Sequence, residues 1–255
     1  MRSLWGFSDF LTLLNKTPGI KNGIVVDTNV LVSATYDFDT FYEHTNDLLN
    51  LIVENNIPLY CNVNVRAEFL EIQRRIAFTE ALLSFEAVTT RSSLPNDLAK
   101  KLSSIRSNQM KREVDGRTPL RLSESEIKAF KILMIQENSS KGNLWLSFCK
   151  DHIGNQLLNI WNEVVNDFGL NFMSLRAEDQ ETFLESFPSW ESAVELMSSA
   201  GLSSADAMIV NMFQSSKFEL IISSDVDVGI AIAGIKRPEK LCLLPDTVLK
   251  SISIA

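Results

Sequence analysis

The chain has 255 residues, of which 45% are apolar and 22% charged, and its formal net charge is -8. This composition is typical of a globular protein with a full core and excludes a largely disordered chain. The acidic balance argues against broad, non-specific coating of nucleic acid, although it allows a local basic groove.

The cysteine and histidine content further narrows the class of protein and its expected compartment. Cys61, Cys149 and Cys242 lie far apart among apolar neighbours, which predicts buried, reduced thiols in a reducing compartment. His44 and His152 are too few and too separated to indicate a zinc site. No apolar run reaches about 18 residues, the length needed to span a membrane, and the N-terminus lacks a signal-peptide pattern. We therefore expect a cytoplasmic protein with no membrane partner.

The first third of the chain predicts alternating helices and strands. Residues 4–16 carry apolar side chains at helical spacing and stop at Thr17-Pro18-Gly19, which indicates an N-terminal helix. A β-branched run at 24–26 predicts a buried strand, followed by a helix over 40–55, a strand over 58–61 and a helix from about residue 65. This alternation favours a parallel sheet with right-handed crossovers.

The middle of the chain, residues 80–198, has mainly helical patterns, at 122–135, 144–168, 181–184 and 190–197. After Gly201 the alternation returns, with Ser204 as the predicted cap of a helix over 205–213 and strands over 218–223 and 241–245. The sequence therefore predicts an α/β domain, formed by residues 1–79 and 199–255, around a helical insertion of residues 80–198. We expect a central, mostly parallel sheet of about four to five strands.

Acidic residues stand where several of these elements end or begin. Such acids meet at the carboxyl edge of a parallel sheet, where α/β proteins bind ligands, and they repel one another unless they share a cation. Each also has a structural explanation, as a helix cap, a dipole partner or a solvated helix position. Taken together, they predict an enzyme that uses Mg²⁺ or Mn²⁺. The acids are Asp27 after the first strand, Glu68 on the helix from about residue 65, Asp206 in a first helical turn, and Asp225 and Asp227 after the strand at 218–223.

Polar neighbours of these acids are predicted to orient them by hydrogen bonding. Thr28 and Asn29 follow Asp27, and Ser223 and Ser224 precede Asp225.

These motifs, in this order, resemble the pattern of PIN-domain nucleases, a family that includes the VapC-like ribonuclease toxins. The similarity covers about 100 residues, roughly 22–76 and 201–246. The chain departs from short toxins in its middle, because 138 positions separate residues 68 and 206. The resemblance rests on Val25-Val26-Asp27-Thr28-Asn29, Val65-Arg66-Ala67-Glu68-Phe69, Ser204-Ala205-Asp206-Ala207 and Ser223-Ser224-Asp225-Val226-Asp227.

The resemblance implies a three-layer fold and a metal-dependent endoribonuclease that hydrolyses phosphodiester bonds of single-stranded or structured RNA with Mg²⁺ or Mn²⁺. It also implies a homodimer and, if the protein is the toxin of a toxin–antitoxin pair, an antitoxin partner. By residue, it implies that Asp27, Glu68, Asp206 and Asp225 are catalytic, and that Asp27, Asp206, Asp225 and Asp227 hold metal.

A basic segment within the insertion is the predicted contact with RNA. Residues 100–121 contain seven basic and two acidic side chains, and Lys111, Arg112 and Arg117 are the candidate contacts. A strand-binding arm of this kind predicts a steep salt dependence of RNA affinity, whereas the alternative is a solvated surface.

Three other functions compete with the toxin. A stand-alone RNA-processing or defence nuclease has the same chemistry. A non-catalytic interaction module has the same fold, with the acids serving structural roles. A phosphatase of the haloacid-dehalogenase type also has an aspartate after its first strand, but it needs a second aspartate where this chain has Asn29.

Overall fold

A computed structural model describes residues 3–88, 96–136, 138–139, 142–154, 156–174, 176, 181–235, 237 and 239–252. Its contacts divide the chain into two compact units, Met1–Phe69 with Glu163–Ala255, and Leu70–Asn162. The first unit takes in residues 163–198, and the second takes in 70–79, so the division falls at other positions than the predicted 79/80 and 198/199.

The strands form one six-stranded sheet in the first unit and one hairpin in the second. The strands are β1 (Leu4–Gly6), β2 (Ile24–Val26), β3 (Leu59–Cys61), β4 (Asn138–Ser139), β5 (Gly142–Asn143), β6 (Leu170–Phe172), β7 (Leu220–Ile222) and β8 (Leu241–Leu244). The larger sheet is entirely parallel, with the order β1-β8-β7-β2-β3-β6, and β4 pairs with β5 in the antiparallel hairpin. The predicted α/β class with a parallel sheet is confirmed.

The predicted count of four to five strands was too low, because β1 and β6 were not expected. The N-terminal helix over 4–16 is also wrong at its start. Leu4–Gly6 pairs with β8, a 3₁₀ turn covers Phe7–Asp9, and the helix itself begins at Phe10. Leu4 is buried in that pairing, so the apolar residue assigned to a helix face packs in the sheet instead.

The helices of the described residues are bounded by local capping chemistry. They are α1 (Phe10–Lys16), α2 (Thr28–Thr35), α3 (Tyr42–Glu54), α4 (Val63–Val88), α5 (Asn96–Val114), α6 (Glu124–Gln136), α7 (Leu144–Phe148), α8 (Gln156–Phe168), α9 (Trp190–Ala200), α10 (Ser204–Ser215), α11 (Val226–Gly234) and α12 (Asp246–Ser251). The hydroxyl of Ser203, just before α10, accepts a hydrogen bond from the amide of Asp206, and Gly201, with φ of 72°, directly follows α9.

The centre of the first unit is the buried middle of the sheet. All residues of β2, β7 and β8 are buried, as their uninterrupted apolar runs require in a parallel sheet covered on both faces. Lys240, just before β8, is also buried, and its Nζ donates to the carbonyl oxygens of Ser216 at 2.6 Å and Phe218 at 2.7 Å. Burial lowers the pKa of this lysine to about 8. These two hydrogen bonds fix the backbone segment that leads into β7.

The second unit has its own apolar core. Phe78 stacks on Trp145 with ring centroids 5.2 Å apart, and Leu98, Phe130 and Met134 are fully buried beside them in one cluster. The continuous helix predicted over 144–168 is broken. A π-helical turn at Cys149–Ile153 and Gly154, with φ of 32°, separate α7 from α8.

The cysteines form no disulfide. Cys61 and Cys242 are buried on strands, whereas Cys149 is partly exposed, so the prediction of three buried thiols is wrong for Cys149. Across the described ranges, no helix combines the length and the apolar character that crossing a bilayer demands.

Gly23, immediately before β2, provides a test of the packing. Its φ is 141°, and an added Cβ would stand 2.4 Å from Cε2 of Tyr60 and 2.8 Å from Cε1 of Phe218. Those rings stack with centroids 4.4 Å apart. We expect Gly23→Ala to lower the free energy of unfolding by about 3 kcal/mol through backbone strain and overpacking, as measured by chemical denaturation.

The matched control is Gly234→Ala in the same unit, where an added Cβ meets nothing within 4 Å. We expect the control to change stability by less than about 1 kcal/mol. Equal losses in both variants would contradict the packing described for Gly23.

Candidate active site

The register of the parallel sheet brings the ends of β2 and β7 together. Val26 is the partner of Ile222, and the amide of Asp27 donates to the carbonyl oxygen of Ile222 at 2.9 Å. The first residues beyond the two strands, Asp27 and Ser223, therefore lie side by side at the carboxyl edge. This is the edge where α/β folds place ligands.

Asp27 is fully buried, and both of its carboxylate oxygens accept hydrogen bonds. The amide of Thr28 donates to Oδ1 at 2.7 Å, because Asp27 is the N-cap of α2, and the hydroxyl of Ser223 donates to Oδ2 at 2.6 Å. Burial raises the pKa of Asp27 to about 7, and these hydrogen bonds oppose the increase. The negative charges of Asp206 and Glu68 raise the pKa further.

Thr28 connects Asp27 to Glu68. Its hydroxyl donates to Oε2 of Glu68 at 2.8 Å, while its amide is bonded to Asp27. Glu68 lies in the second turn of α4 and is half-buried. Burial is the main cause that raises the pKa of Glu68, the bond from Thr28 opposes it, and the charges of Asp206 and Asp225 contribute.

Asp225 is joined to the same network through Ser223. The Ser223 hydroxyl accepts the amide of Asp225 at 3.0 Å while it donates to Asp27. Asp225 is the N-cap of α11, and its Oδ1 accepts the amide of Asp227 at 2.8 Å. Burial raises the pKa of Asp225, and the negative charges of Asp206 and Asp227 raise it further.

Asp206 enters the site from the first turn of α10. The hydroxyl of Ser203 donates a hydrogen bond to Oδ2 of Asp206 at 2.6 Å and accepts one from the amide of Asp206 at 3.2 Å. These two bonds fix the position of the Asp206 side chain at the start of α10. The charge of Asp206 acts on the pKa of Asp27, Glu68 and Asp225 alike. Together Asp27, Glu68, Asp206 and Asp225, which we call the acidic site, come from four separate segments of the first unit.

The acidic site supplies the chemistry that a hard divalent cation requires. All four donors are carboxylates, the ligand type that Mg²⁺ and Mn²⁺ prefer, and their mutual repulsion is what a cation would relieve. Each carboxylate oxygen keeps a second lone pair beside its hydrogen bond. In the part of the chain that the structure describes, no three His, Cys, Asp or Glu side chains already form a group that could hold a metal ion.

The remaining predicted residues take different positions. Asp227 is exposed, two residues after Asp225, and Asn29 and Ser224 are half-buried next to their acids without a bond to them. The basic residues all lie in the second unit. Lys111 and Arg112 are in the last turn of α5, where Arg112 donates to the Thr118 carbonyl oxygen at 2.6 Å, and Arg117 pairs with Asp115 at 3.4 Å.

Two residues near the carboxyl edge of the sheet, Ser203 and Asn62, were not identified from the sequence. Ser203, not Ser204, caps α10, and the capping-box spacing from Ser203 to Asp206 was the available signal. Asn62 follows β3 as Asp27 follows β2, and it is fully buried. Its Oδ1 accepts the amides of Asn64 and Val65, but Nδ2 has no hydrogen-bond partner among the described residues.

Comparisons with known proteins identify no relative of this chain. No protein-family model, no curated protein and no solved structure matches the chain. The fold and the site therefore define the class on their own, an α/β protein with a partly buried carboxylate cluster at the carboxyl edge of a parallel sheet.

Proposed function

We propose that the chain is a PIN-like, divalent-metal-dependent endoribonuclease, with the acidic site as its active site and Mg²⁺ or Mn²⁺ as its cofactor. The observation that carries the proposal is the fully buried Asp27, whose pKa is raised by the charges of Asp206 and Glu68 and which is joined to Asp225 through the Ser223 hydroxyl. Burying a carboxylate among like charges is costly without a compensating cation. A purely structural role would not require acids from separate segments to raise the pKa values of Asp27, Glu68 and Asp225.

The order of the elements supports the PIN-like part of the proposal. The acids follow β2, lie in α4, open α10 and follow β7, which is the order of the resemblance. The second unit lies between Glu68 and Asp206 in the chain and carries the basic segment proposed to contact RNA. The antitoxin and homodimer partners stay predictions of the resemblance.

Three carboxylates would hold the metal, with Asp27 at the centre and Asp206 and Asp225 beside it. When bound, the ion supplies Lewis-acid activation of water and charge neutralisation at the phosphate. Thr28 and Ser223 hold Asp27 by both oxygens, so its orientation is set before any substrate arrives. Such preorganisation is a major source of electrostatic catalysis.

Glu68 has a different role in the proposal. Thr28 occupies its Oε2, which leaves Oε1 to orient the attacking water and to accept its proton. The raised pKa of Glu68 makes it a better proton acceptor than an ordinary glutamate. The aspartates then remain available for the cation.

The test is incubation of the protein with end-labelled single-stranded and structured RNA, in Mn²⁺ or in EDTA. We expect cleavage in Mn²⁺, with internal cuts, and no cleavage in EDTA. The reason is that the proposed reaction depends on the ion to activate water, and the groups that act on the pKa values of Asp27, Glu68 and Asp225 include no histidine. Absence of cleavage in Mn²⁺ on both RNA classes would contradict the nuclease and favour the interaction module.

A further inference from the structure

A cavity opens at the carboxyl edge of the sheet, beside the ends of β1 and β8. Its volume is about 380 Å³, within the range of about 300–1,000 Å³ usual for small-molecule sites. Its walls come from the segments just after β1 and β8 and from one side of α3. We call it the α3 cavity, and it is lined by Phe7, Ser8, His44, Asp47, Leu48, Leu51, Pro245, Asp246 and Thr247.

The walls combine apolar surface with hydrogen-bond acceptors. Phe7, Leu48 and Pro245 are buried and form apolar walls. Asp246 is held in place, because the Ser8 hydroxyl donates to its Oδ1 at 2.6 Å and the Ser8 amide to its Oδ2 at 3.3 Å. Among the residues that the structure describes, no lysine or arginine lines the cavity. A phosphate group would therefore meet two carboxylates and no cation, so the cavity suits an uncharged ligand that donates hydrogen bonds.

Two lining side chains have no partner among the parts of the chain that the structure describes. His44 and Asp47 stand three residues apart on α3, on nearly the same face, and both are exposed. Neither side chain has a hydrogen bond or ion pair within the described residues. Their polar atoms are thus available to a ligand in the cavity.

The α3 cavity lies close to the acidic site. β8 is two strands from β2 in the sheet, with β7 between them, and neighbouring strands are about 4.8 Å apart, which puts the two strand ends roughly 10 Å apart. Both sites are built on the same carboxyl edge of one unit. A short stretch of extended RNA covers this distance.

We propose that the α3 cavity binds one base of the RNA strand and favours a base with exocyclic amino groups, guanine first and uracil last. This inference rests on the proposed function and deepens it, because it names a determinant of cleavage specificity. The apolar walls pack against the faces of the planar base, and the carboxylates of Asp47 and Asp246 accept hydrogen bonds from its edge.

The ranking follows from the donors of each base. Guanine presents adjacent N1–H and N2–H donors that one carboxylate can accept together, whereas uracil presents two carbonyl oxygens and a single N–H. Carbonyl oxygens facing Asp47 are repelled. A paired donor–acceptor contact of this kind discriminates by about tenfold or more.

The test uses guanosine, uridine and inorganic phosphate as probes on the full chain in EDTA, followed by NMR of the histidine rings. Uncharged nucleosides are not repelled by the metal-free acidic site, so binding is read independently of cleavage. The chain has two histidines, and His152 lies in the other unit, so it serves as an internal reference. We expect guanosine to shift His44 and not His152, with uridine at least tenfold weaker and phosphate without effect.

The matched variants are Asp47→Asn and Glu54→Gln, both at exposed positions of α3, the second outside the lining. We expect Asp47→Asn to weaken guanosine binding about tenfold and Glu54→Gln to leave it unchanged. Equal binding of uridine and guanosine, a phosphate shift at His44, or equal shifts of both histidines would overturn the proposal.

Failure of this inference is distinguishable from failure of the proposed function. Metal-dependent RNA cleavage without guanosine binding would overturn the base site and leave the nuclease standing. Guanosine binding at His44 without RNA cleavage would overturn the nuclease, and with it the role of the α3 cavity in cleavage specificity.

Discussion

Asp27→Asn is expected to reduce Mn²⁺-dependent RNA cleavage at least about a thousandfold and, at the same time, to stabilise the metal-free protein. The asparagine has the same shape, and its amide oxygen still accepts the Thr28 amide, so the fold at α2 is preserved. It removes the central negative charge on which the proposed cation depends. The cleavage assay above measures the first effect.

The gain in stability has a separate cause. The pKa of Asp27 rises from 3.8 to about 7 in the folded state, and each pKa unit corresponds to about 1.4 kcal/mol. At pH 8 the ionised carboxylate therefore destabilises the metal-free fold by an amount on the order of 4 kcal/mol. We expect the variant to unfold at a temperature higher by roughly 5–10 °C in EDTA.

The control for both effects is Asp167→Asn, an exposed acid of α8 in the same unit. We expect it to cleave and unfold like the unmodified chain. An Asp27→Asn protein that cleaves normally would refute the assignment of the active site. One that unfolds at a lower temperature in EDTA would refute the strain ascribed to the buried carboxylate.

The stability of the metal-free protein is expected to fall as the pH rises from 5 to 7.5, and Mn²⁺ is expected to reverse the trend. The folded state keeps a proton on Asp27 that the unfolded state has released above its pKa of 3.8. This contribution is complete below pH 3.8 and is lost as the pH rises through about 7. The raised pKa values of Glu68 and Asp225 act in the same direction.

A cation binds the ionised carboxylates, so its stabilising effect grows with pH. At 100 times its dissociation constant, a ligand stabilises the fold by about 2.7 kcal/mol. Thermal unfolding in EDTA and in excess Mn²⁺, at pH 5 and at pH 7.5, measures both trends. Lys240 does not disturb this window, because its pKa of about 8 lies above it. Metal-free stability that increases across the window would contradict the site.

The strands that carry the acids could be predicted from the sequence for a physical reason. Ile24-Val25-Val26 and Leu220-Ile221-Ile222 are short apolar runs that only a sheet buried on both faces accommodates, and each is followed closely by an acid. The sequence could not show that the ends of these two strands lie side by side. The hydrogen bond from Ser223 to Asp27 depends on the register between residues 196 positions apart.

Other features gave weaker local signals. Leu4–Gly6 joins the sheet, although its leucine also fits the helical spacing of the residues that follow, and only pairing with β8 decides between them. β6 is three residues long and buries only Leu170, so it shows neither a continuous apolar run nor an alternating pattern. The apolar stripe over 144–168 continued smoothly in sequence, whereas the backbone at Gly154 interrupts the helix.

The buried amine of Lys240 has a consequence for how this protein can be handled. Its Nζ is bonded to two backbone oxygens inside the first unit and is shielded from solvent. Acylating reagents, or an acetyl-transferring enzyme, reach that nitrogen only when the buried segment before β8 opens. A chain acylated there before folding keeps a single N–H donor for the carbonyl oxygens of Ser216 and Phe218 and has to bury the added acyl group. Chemical labelling of this single position thus distinguishes native molecules from those in which this segment has opened.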